Sequence, residues 1–205
     1  MSRINFDFSK IDETLQKKLV QGSVVPRPIA WITSKNDDGS LNLAPFSYFN
    51  MFSESVVGVS FQGNKRNQKD TYHNLMREKA GVIHIVSYDS IEVMDQSSFP
   101  YESNRSEVNE LRLETIESKK VMVDSIQEAM IAMEVEVIDD ISIHKKDSTE
   151  QEANLVLMRV LHVSVDEKVF DQQKQYILAD KLNPLARLAG PHYAVIKQLD
   201  FKRKF

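Results

Sequence analysis

Lys69, Asp70 and Thr71 form the tripeptide with the plainest chemical potential in this chain. They stand directly before Tyr72 to Lys79, whose pattern predicts a short helix, and Asp or Thr there can cap free backbone N–H groups. A helix N-terminus that also carries a lysine and a hydroxyl favours phosphate, through partial positive charge and several donors at once. Taken alone, the same three residues read first as a solvated helix cap. A second stretch, Pro26 to Asn50 (PRPIAWITSKNDDGSLNLAPFSYFN), shifts that balance. It passes through the rigid Pro26-Arg27-Pro28, runs along the apolar Ile29–Ile32, turns at Asn36-Asp37-Asp38-Gly39 and returns from Leu41 to Phe46. Two apolar runs around an Asp-Gly turn predict a β-hairpin, because glycine supplies the positive φ such turns need. The return arm is unusual: Pro45 cannot donate to a ladder, and Ser47, Tyr48, Phe49 and Asn50 crowd polar and aromatic groups together. Backbone leaving a sheet beside such groups suits the edge of a flat ligand.

The rest of the chain supplies the elements that must position these residues. Apolar groups at Ile11, Leu15 and Leu19, with acids early and lysines late, predict a helix over Ile11–Val20. Ser55–Phe61 and Val82–Ser87 read as buried strands. Between them lies a polar, basic loop, Gly63–Gln68. Ser87 or Asp89 is placed to cap a short helix over Ile91–Gln96. Ser97–Ser125 is the least strand-like part, with helical character at Glu107–Leu113. Ala129–Ile138 alternates with period two, which predicts a strand with one wet face, and Asn154–Val165 repeats the pattern. The hydrophilic Asp139–Glu152 reads as the hairpin connection between them, and Tyr193–Leu199 as a last short strand. Many strands, few helices and no regular β-α-β alternation point to a mainly β protein, a barrel with peripheral helices. No repeat or linker divides the chain, so residues 1–205 are expected to form one domain.

Composition narrows the function. With 26 basic and 30 acidic residues, the net charge of −4 argues against nucleic acid or an anionic membrane surface as the main partner. The absence of cysteine excludes disulfides, thiolate metal sites and a cysteine nucleophile. The five histidines show neither HxxxH nor HExxH spacing, so no metal is expected. His84, within an apolar strand, reads as a hydrogen-bonded core histidine, and Lys202-Arg203-Lys204 as a solvated tail. The N-terminus lacks the apolar stretch of a signal peptide and no apolar run is long enough for a membrane span, so a cytoplasmic protein is expected.

Taken together, RPIAWITS, DG, NLAPFSYFN and KDT resemble the flavin reductase-like family of FMN-binding split β-barrels, from about Gly22 to the Arg187–Tyr193 segment. The resemblance implies a split barrel of Greek-key type, FMN as cofactor, NADH or NADPH as co-substrate, and a homodimer. By that resemblance Lys69 and Thr71 bind the FMN phosphate, while Asp70 caps the helix. Thr33 and Ser34 match hydroxyl positions that help hold the phosphate or ribityl chain. Asn42, Leu43, Ala44 and Pro45 match the segment whose backbone lines the isoalloxazine, Ser47, Tyr48, Phe49 and Asn50 extend that wall, and Ser60 matches another lining position. Trp31 fits core packing at least as well as flavin contact. Arg187-Leu188-Ala189-Gly190-Pro191-His192-Tyr193 resembles the family's Arg-Leu-Gly-Gly-x-x-Tyr signature, with Ala189 in place of a glycine. It sets His192 where some members place a histidine near the nicotinamide. The family commonly has asparagine at His84 and a bulky aromatic at Gly81. Apolar groups of the crossover, Phe99, Tyr101 and Leu111, lack an evident place in one core, consistent with a dimer surface. The implied reaction is hydride transfer from NAD(P)H to FMN, with delivery to an acceptor protein as one outlet. The rivals are a flavoredoxin-like electron carrier and a non-catalytic flavin-binding or storage module.

Overall fold

The computed structural model describes residues 2–63, 68–102 and 105–204. The middle of the basic loop, Asn64–Asn67, lies outside the described residues. The helices are α1 (Glu13–Ser23), α2 (Asp70–Glu78), α3 (Ile91–Gln96), α4 (Glu107–Glu110) and α5 (Ala179–Leu182). The strands of the first half are β1 (Arg27–Pro28), β2 (Ala30–Lys35), β3 (Leu41–Phe46), β4 (Phe49–Met51), β5 (Val56–Gln62), β6 (Ala80–Ile85) and β7 (Thr115–Ile116). Those of the second half are β8 (Ser125–Ile126), β9 (Ile131–His144), β10 (Gln151–Val165), β11 (Phe170–Asp171), β12 (Tyr176–Ile177), β13 (Leu185–Arg187) and β14 (Tyr193–Val195).

Seven strands form one antiparallel sheet in the order β3-β2-β6-β9-β10-β5-β4. The predicted hairpin is its first edge: Gly39 takes φ +86, and Ala30 pairs with Phe46 through to Lys35 with Leu41. Pro45 is tolerated because β3 is an edge strand, where a missing N–H can face away from the ladder. The other edge, β4, follows β3 after only Ser47 and Tyr48. Two residues cannot span a flat seven-stranded sheet with strands ~4.8 Å apart. The sheet must therefore curl until its edges meet, leaving a seam at Ser47-Tyr48. Register shifts between Leu157 and Met158 and between Val160 and His162 mark irregularities in the long β9–β10 ladder that favour this bending.

Curling gives the sheet an inside and an outside, and both are covered. Ile32, Val59, Phe61, Leu75, Ile83, Val135, Val156 and Met158 pack in one cluster. Trp31, Leu43, Val86, Met94, Val108, Ile126 and Leu185 pack in a second, to which α3 and α4 contribute. Trp31 is fully buried and its indole N–H donates to Ser97 Oγ at 2.8 Å, which, of its two readings, favours core packing over flavin contact. His84 is also fully buried. Its Nδ1 meets the Trp31 carbonyl at 2.8 Å and its Nε2 accepts the Ile126 N–H at 3.1 Å, which together fix a neutral tautomer. Burial pushes its pKa down to about 4 against the carbonyl's opposing pull.

Several boundaries depart from the sequence reading for physical reasons. β9 and β10 run to His144 and start at Gln151, because polar residues of Asp139–Glu152 continue the ladder where its sides are exposed. The wet face of β9 is dry in its first half: Ala132 and Glu134 are buried. Glu134 is satisfied by the N–H groups of Lys119 and Lys120 at 2.8 and 2.5 Å, from the loop that covers it. α3 has the expected bounds, but Ser90 precedes it and no side chain caps it. α1 is displaced toward the C-terminus, capped by Asp12, whose carboxylate accepts the Leu15 N–H at 2.9 Å. Among the described residues no helix is long and apolar enough to cross a membrane.

Candidate functional site

The seam between the sheet edges opens into two adjoining cavities of 460 and 390 Å³, which share Pro45, Phe46 and Lys69 as walls. The smaller lies toward α2. Lys69, and not Asp70, occupies the cap position, in extended backbone (φ −74, ψ 147), and makes no side-chain cap bond; Asp70 is the first helical residue. Among the described residues, the leading N–H groups of α2 are thus left without a side-chain cap beside an exposed ammonium group. Thr71 is buried next to them, and its Oγ1 accepts from Asn42 Nδ2 at 2.7 Å, so its own proton remains available to donate. Asn42 is held in turn by Ser34 Oγ at 3.2 Å, and Ser34 by Asn74 Nδ2 at 3.1 Å. This buried polar chain pins one end of α2 to the β2–β3 hairpin. Ala44 and Glu107 complete the nearer wall. Glu107 Oε2 accepts the Leu43 N–H at 2.9 Å; burial pushes its pKa up, that hydrogen bond works against the rise, and Asp70 adds to it.

The larger cavity lies toward the two ends of the chain. Ser47, Tyr48 and Ser60 line it from the barrel. The Ser60 N–H donates to the Tyr48 carbonyl at 2.8 Å, which holds the seam closed at that point. Gln21 of α1 donates to the Tyr48 hydroxyl at 2.6 Å, and the Arg27 guanidinium stands over the Tyr48 ring, 5.7 Å from its centroid. Arg27 Nη1 donates to the carbonyls of Gln21 and Val24, and Nη2 to that of Leu188, each at 2.9 Å. One buried arginine thereby ties the C-terminal end of α1 and the β13–β14 loop to the barrel rim.

A curled, mainly β antiparallel sheet with short peripheral helices is a fold that known proteins share. The model of the flavin reductase-like domain matches residues 22–185. The chain belongs to the flavin reductase-like family. Its fold is the family's split barrel. An uncharacterised protein of Bacillus subtilis, YwrF, is 36% identical over 179 residues, covering 86% of this chain and 87% of that protein. Nitrilotriacetate monooxygenase component B from Bacillus cereus superposes with a TM-score of 0.92 at 29% identity, covering 99% of this chain and 100% of the other. The 2-nitrobenzoate 2-nitroreductase NbaA of Pseudomonas fluorescens gives 0.82 at 25% identity and 98% coverage of both chains.

Of the site residues expected from the sequence, the structure gathers Asn42, Ala44, Pro45, Ser47, Tyr48, Ser60, Lys69 and Thr71 around the two cavities. Others are placed elsewhere. Thr33 and Ser34 lie on opposite faces of β2, as neighbours in a strand must, and neither lines the two cavities. Thr33 is fully buried and donates to the Asp124 carbonyl at 2.8 Å, while Ser34 sits beneath Asn42. Leu43 points into the core with Trp31, and its N–H is taken by Glu107. Phe49 and Asn50 line a separate 330 Å³ crevice with Met51, Met133 and Val160. His192 is exposed and lines neither cavity; its loop reaches the larger one through Arg187, Leu188 and Gly190. Gly81 has little room for a side chain: an added Cβ would lie 2.7 Å from Leu75 Cδ2 and 3.2 Å from the Thr33 carbonyl. Sequence reasoning missed Lys17, Gln21, Arg27 and Glu107. Arg27 alone left a signal, a charge locked between two prolines at the start of the barrel.

Proposed function

We propose that this flavin reductase-like protein binds FMN without a covalent link along the seam of the barrel and reduces it with NADH or NADPH. The observation that carries the reading is the open N-terminus of α2, where Lys69, the Thr71 hydroxyl and uncapped amides converge on one cavity. Those groups suit the FMN phosphate. The edge strand β3 and the Ser47-Tyr48 link offer peptide groups outside the ladder to the donors and acceptors of a flavin's pyrimidine edge. Asn42 orients the Thr71 hydroxyl, and Arg27 holds α1 and the β13–β14 loop against the ring end of the cleft. Bound FMN would supply a ring that accepts a hydride; the chain contributes binding, orientation and exclusion of water. Exposed apolar groups beside the smaller cavity, Phe99 above all at 63% exposure, favour a homodimer that shields this mouth.

The test is anaerobic mixing of the FMN-loaded protein with NADH and, separately, NADPH. Bleaching of the oxidised flavin spectrum by at least one of them is expected. A flavin that stays oxidised with both, yet is reduced by dithionite, would contradict the reductase reading and leave a carrier or a store.

A further inference from the structure

The smaller cavity holds a carboxylate whose charge its structural bond does not call for. Ser106 Oγ donates to the Leu41 carbonyl at 2.5 Å and Glu107 Oε2 accepts the Leu43 N–H at 2.9 Å, so the start of α4 grips the edge strand β3 at two points. The Leu43 N–H needs one acceptor, and a neutral amide side chain would supply it as well. An ionised carboxylate is costly there, because Glu107 is only 9% exposed. Among the described residues no cation pairs with it, and no second residue donates to it. The groups around it offer little relief. α2 presents Asp70, which repels it, and Lys69, which lines the same cavity without pairing with it. The 97–101 segment presents Tyr101, and β3 carries no charged side chain. On α4 itself, Glu110 is taken by Arg105 at 2.6 Å. Burial accordingly pushes the Glu107 pKa up, against the pull of the Leu43 bond and with Asp70 adding to the rise. A buried acid without a counter-ion thus stands on the wall of a cavity suited to an anion.

Resting on the reading that FMN places its phosphate at Lys69 and Thr71, we propose that Glu107 is the proton-carrying member of that site. It takes up a proton when the phosphate arrives and donates it to a phosphate oxygen. A phosphate monoester near neutral pH brings close to two further negative charges to the same wall. Like charges that share one buried site do not both persist, so one of the groups is neutralised. Glu107 is the group already disposed to be neutral. Protonated, it changes from a repelling acceptor into an O–H donor, and it joins the Lys69 ammonium and the Thr71 hydroxyl as a third donor to the anion. The proton comes from solvent and settles on Oε1, the oxygen that leaves the Leu43 bond intact. No covalent bond other than that O–H forms or breaks. Because binding consumes a proton, FMN affinity falls as pH rises. Riboflavin, which lacks the phosphate, escapes the linkage.

The test is calorimetric titration of the apoprotein between pH 6.5 and 8.5, in buffers of different ionisation enthalpy, which counts the protons taken up on binding. The probes are FMN, riboflavin and inorganic phosphate, and the proteins are the wild type and Glu107→Gln. The amide keeps an acceptor for the Leu43 N–H, so the variant should fold, and it cannot ionise. In the wild type we expect FMN binding to take up as much as ~1 proton, with affinity falling by up to ~10-fold per pH unit. Glu107→Gln should lose that uptake and bind FMN ~10-fold more tightly than the wild type at pH 8.5, the scale of one charge-assisted contact. Riboflavin should take up no proton with either protein. FMN binding to the wild type without proton uptake would overturn the proposal. Equal uptake by Glu107→Gln would overturn it too, by placing the proton on the phosphate. If Glu107→Gln does not fold, infrared difference spectra of the wild type with inorganic phosphate, which has no carbonyl group, decide the matter: a new protonated-carboxyl band is expected, and its absence overturns the proposal. An apoprotein that binds no FMN defeats the FMN reading alone, provided inorganic phosphate still binds with an uptake that Glu107→Gln abolishes; if that uptake is missing as well, both fall.

Discussion

His84 should make the barrel acid-sensitive, because its ring is fully buried and neutral. Its ring bridges β2 and β8 from within β6, donating to Trp31 and accepting from Ile126, so protonating Nε2 would break one bond and leave a charge fully buried. Its pKa falls from the ordinary 6.5 to about 4 in the folded state. Above pH 6.5 the ring is neutral folded or unfolded, and it adds no pH dependence. Below 6.5 the unfolded chain takes up a proton that the folded chain refuses, so stability is lost as pH falls. The slope is ~1.4 kcal/mol per pH unit, and the total loss by pH 4 is roughly 3 kcal/mol. Urea unfolding of the wild type and of His84→Asn at pH 7.5, 6.5, 5.5 and 4.5 isolates this contribution, because other titrating groups are common to both. Lost hydrogen bonds and packing should make the variant less stable at pH 7.5. That gap should narrow by ~1.4 kcal/mol per unit below pH 6.5. A gap that stays constant with pH would refute the reasoning, as would an NMR titration of the His84 ring with a midpoint near 6.5.

Three further expectations follow from the site and its supports. Lys69→Ala should weaken FMN binding by roughly 10- to 150-fold, the loss of one charge-assisted hydrogen bond, with riboflavin scarcely affected; equal weakening of both would make Lys69 structural. Gly81→Ala should destabilise the protein by ~1–3 kcal/mol in urea unfolding, because the new methyl meets Leu75 and the Thr33 carbonyl where α2 packs on β6; an unchanged midpoint would show that Leu75 yields freely. Light scattering of the FMN-loaded protein should give twice the 23.6 kDa chain mass, and a monomer would remove the claim that a second copy covers Phe99.

What the sequence made legible was local. The Asp-Gly turn, the edge proline and the Lys-Asp-Thr helix start are each decided by residues within a few positions of one another; the turn and the proline stand where the pattern put them, and the helix begins two residues early, at Asp70, with Lys69 at the cap position. What stayed hidden depends on contacts across the chain. Glu107 meets Leu43 over 64 residues and Arg27 meets Leu188 over 161, and no periodicity reports such pairs. That Thr33 and Ser34 line neither cavity was hidden for a different reason. Both faces of β2 are buried, so its apolar run carries no sign of which face turns toward the cleft. The same double burial made His84 readable as core, since either face of β6 would have enclosed it.

The central claim is that the open end of α2 recognises a flavin by its phosphate. Equilibrium titration of the apoprotein with FMN and with riboflavin, followed by quenching of flavin fluorescence, tests it most directly. The account predicts saturation at one flavin per chain, with FMN bound at least ~10-fold more tightly than riboflavin. Equal affinity for the two, or no binding of FMN, would contradict it.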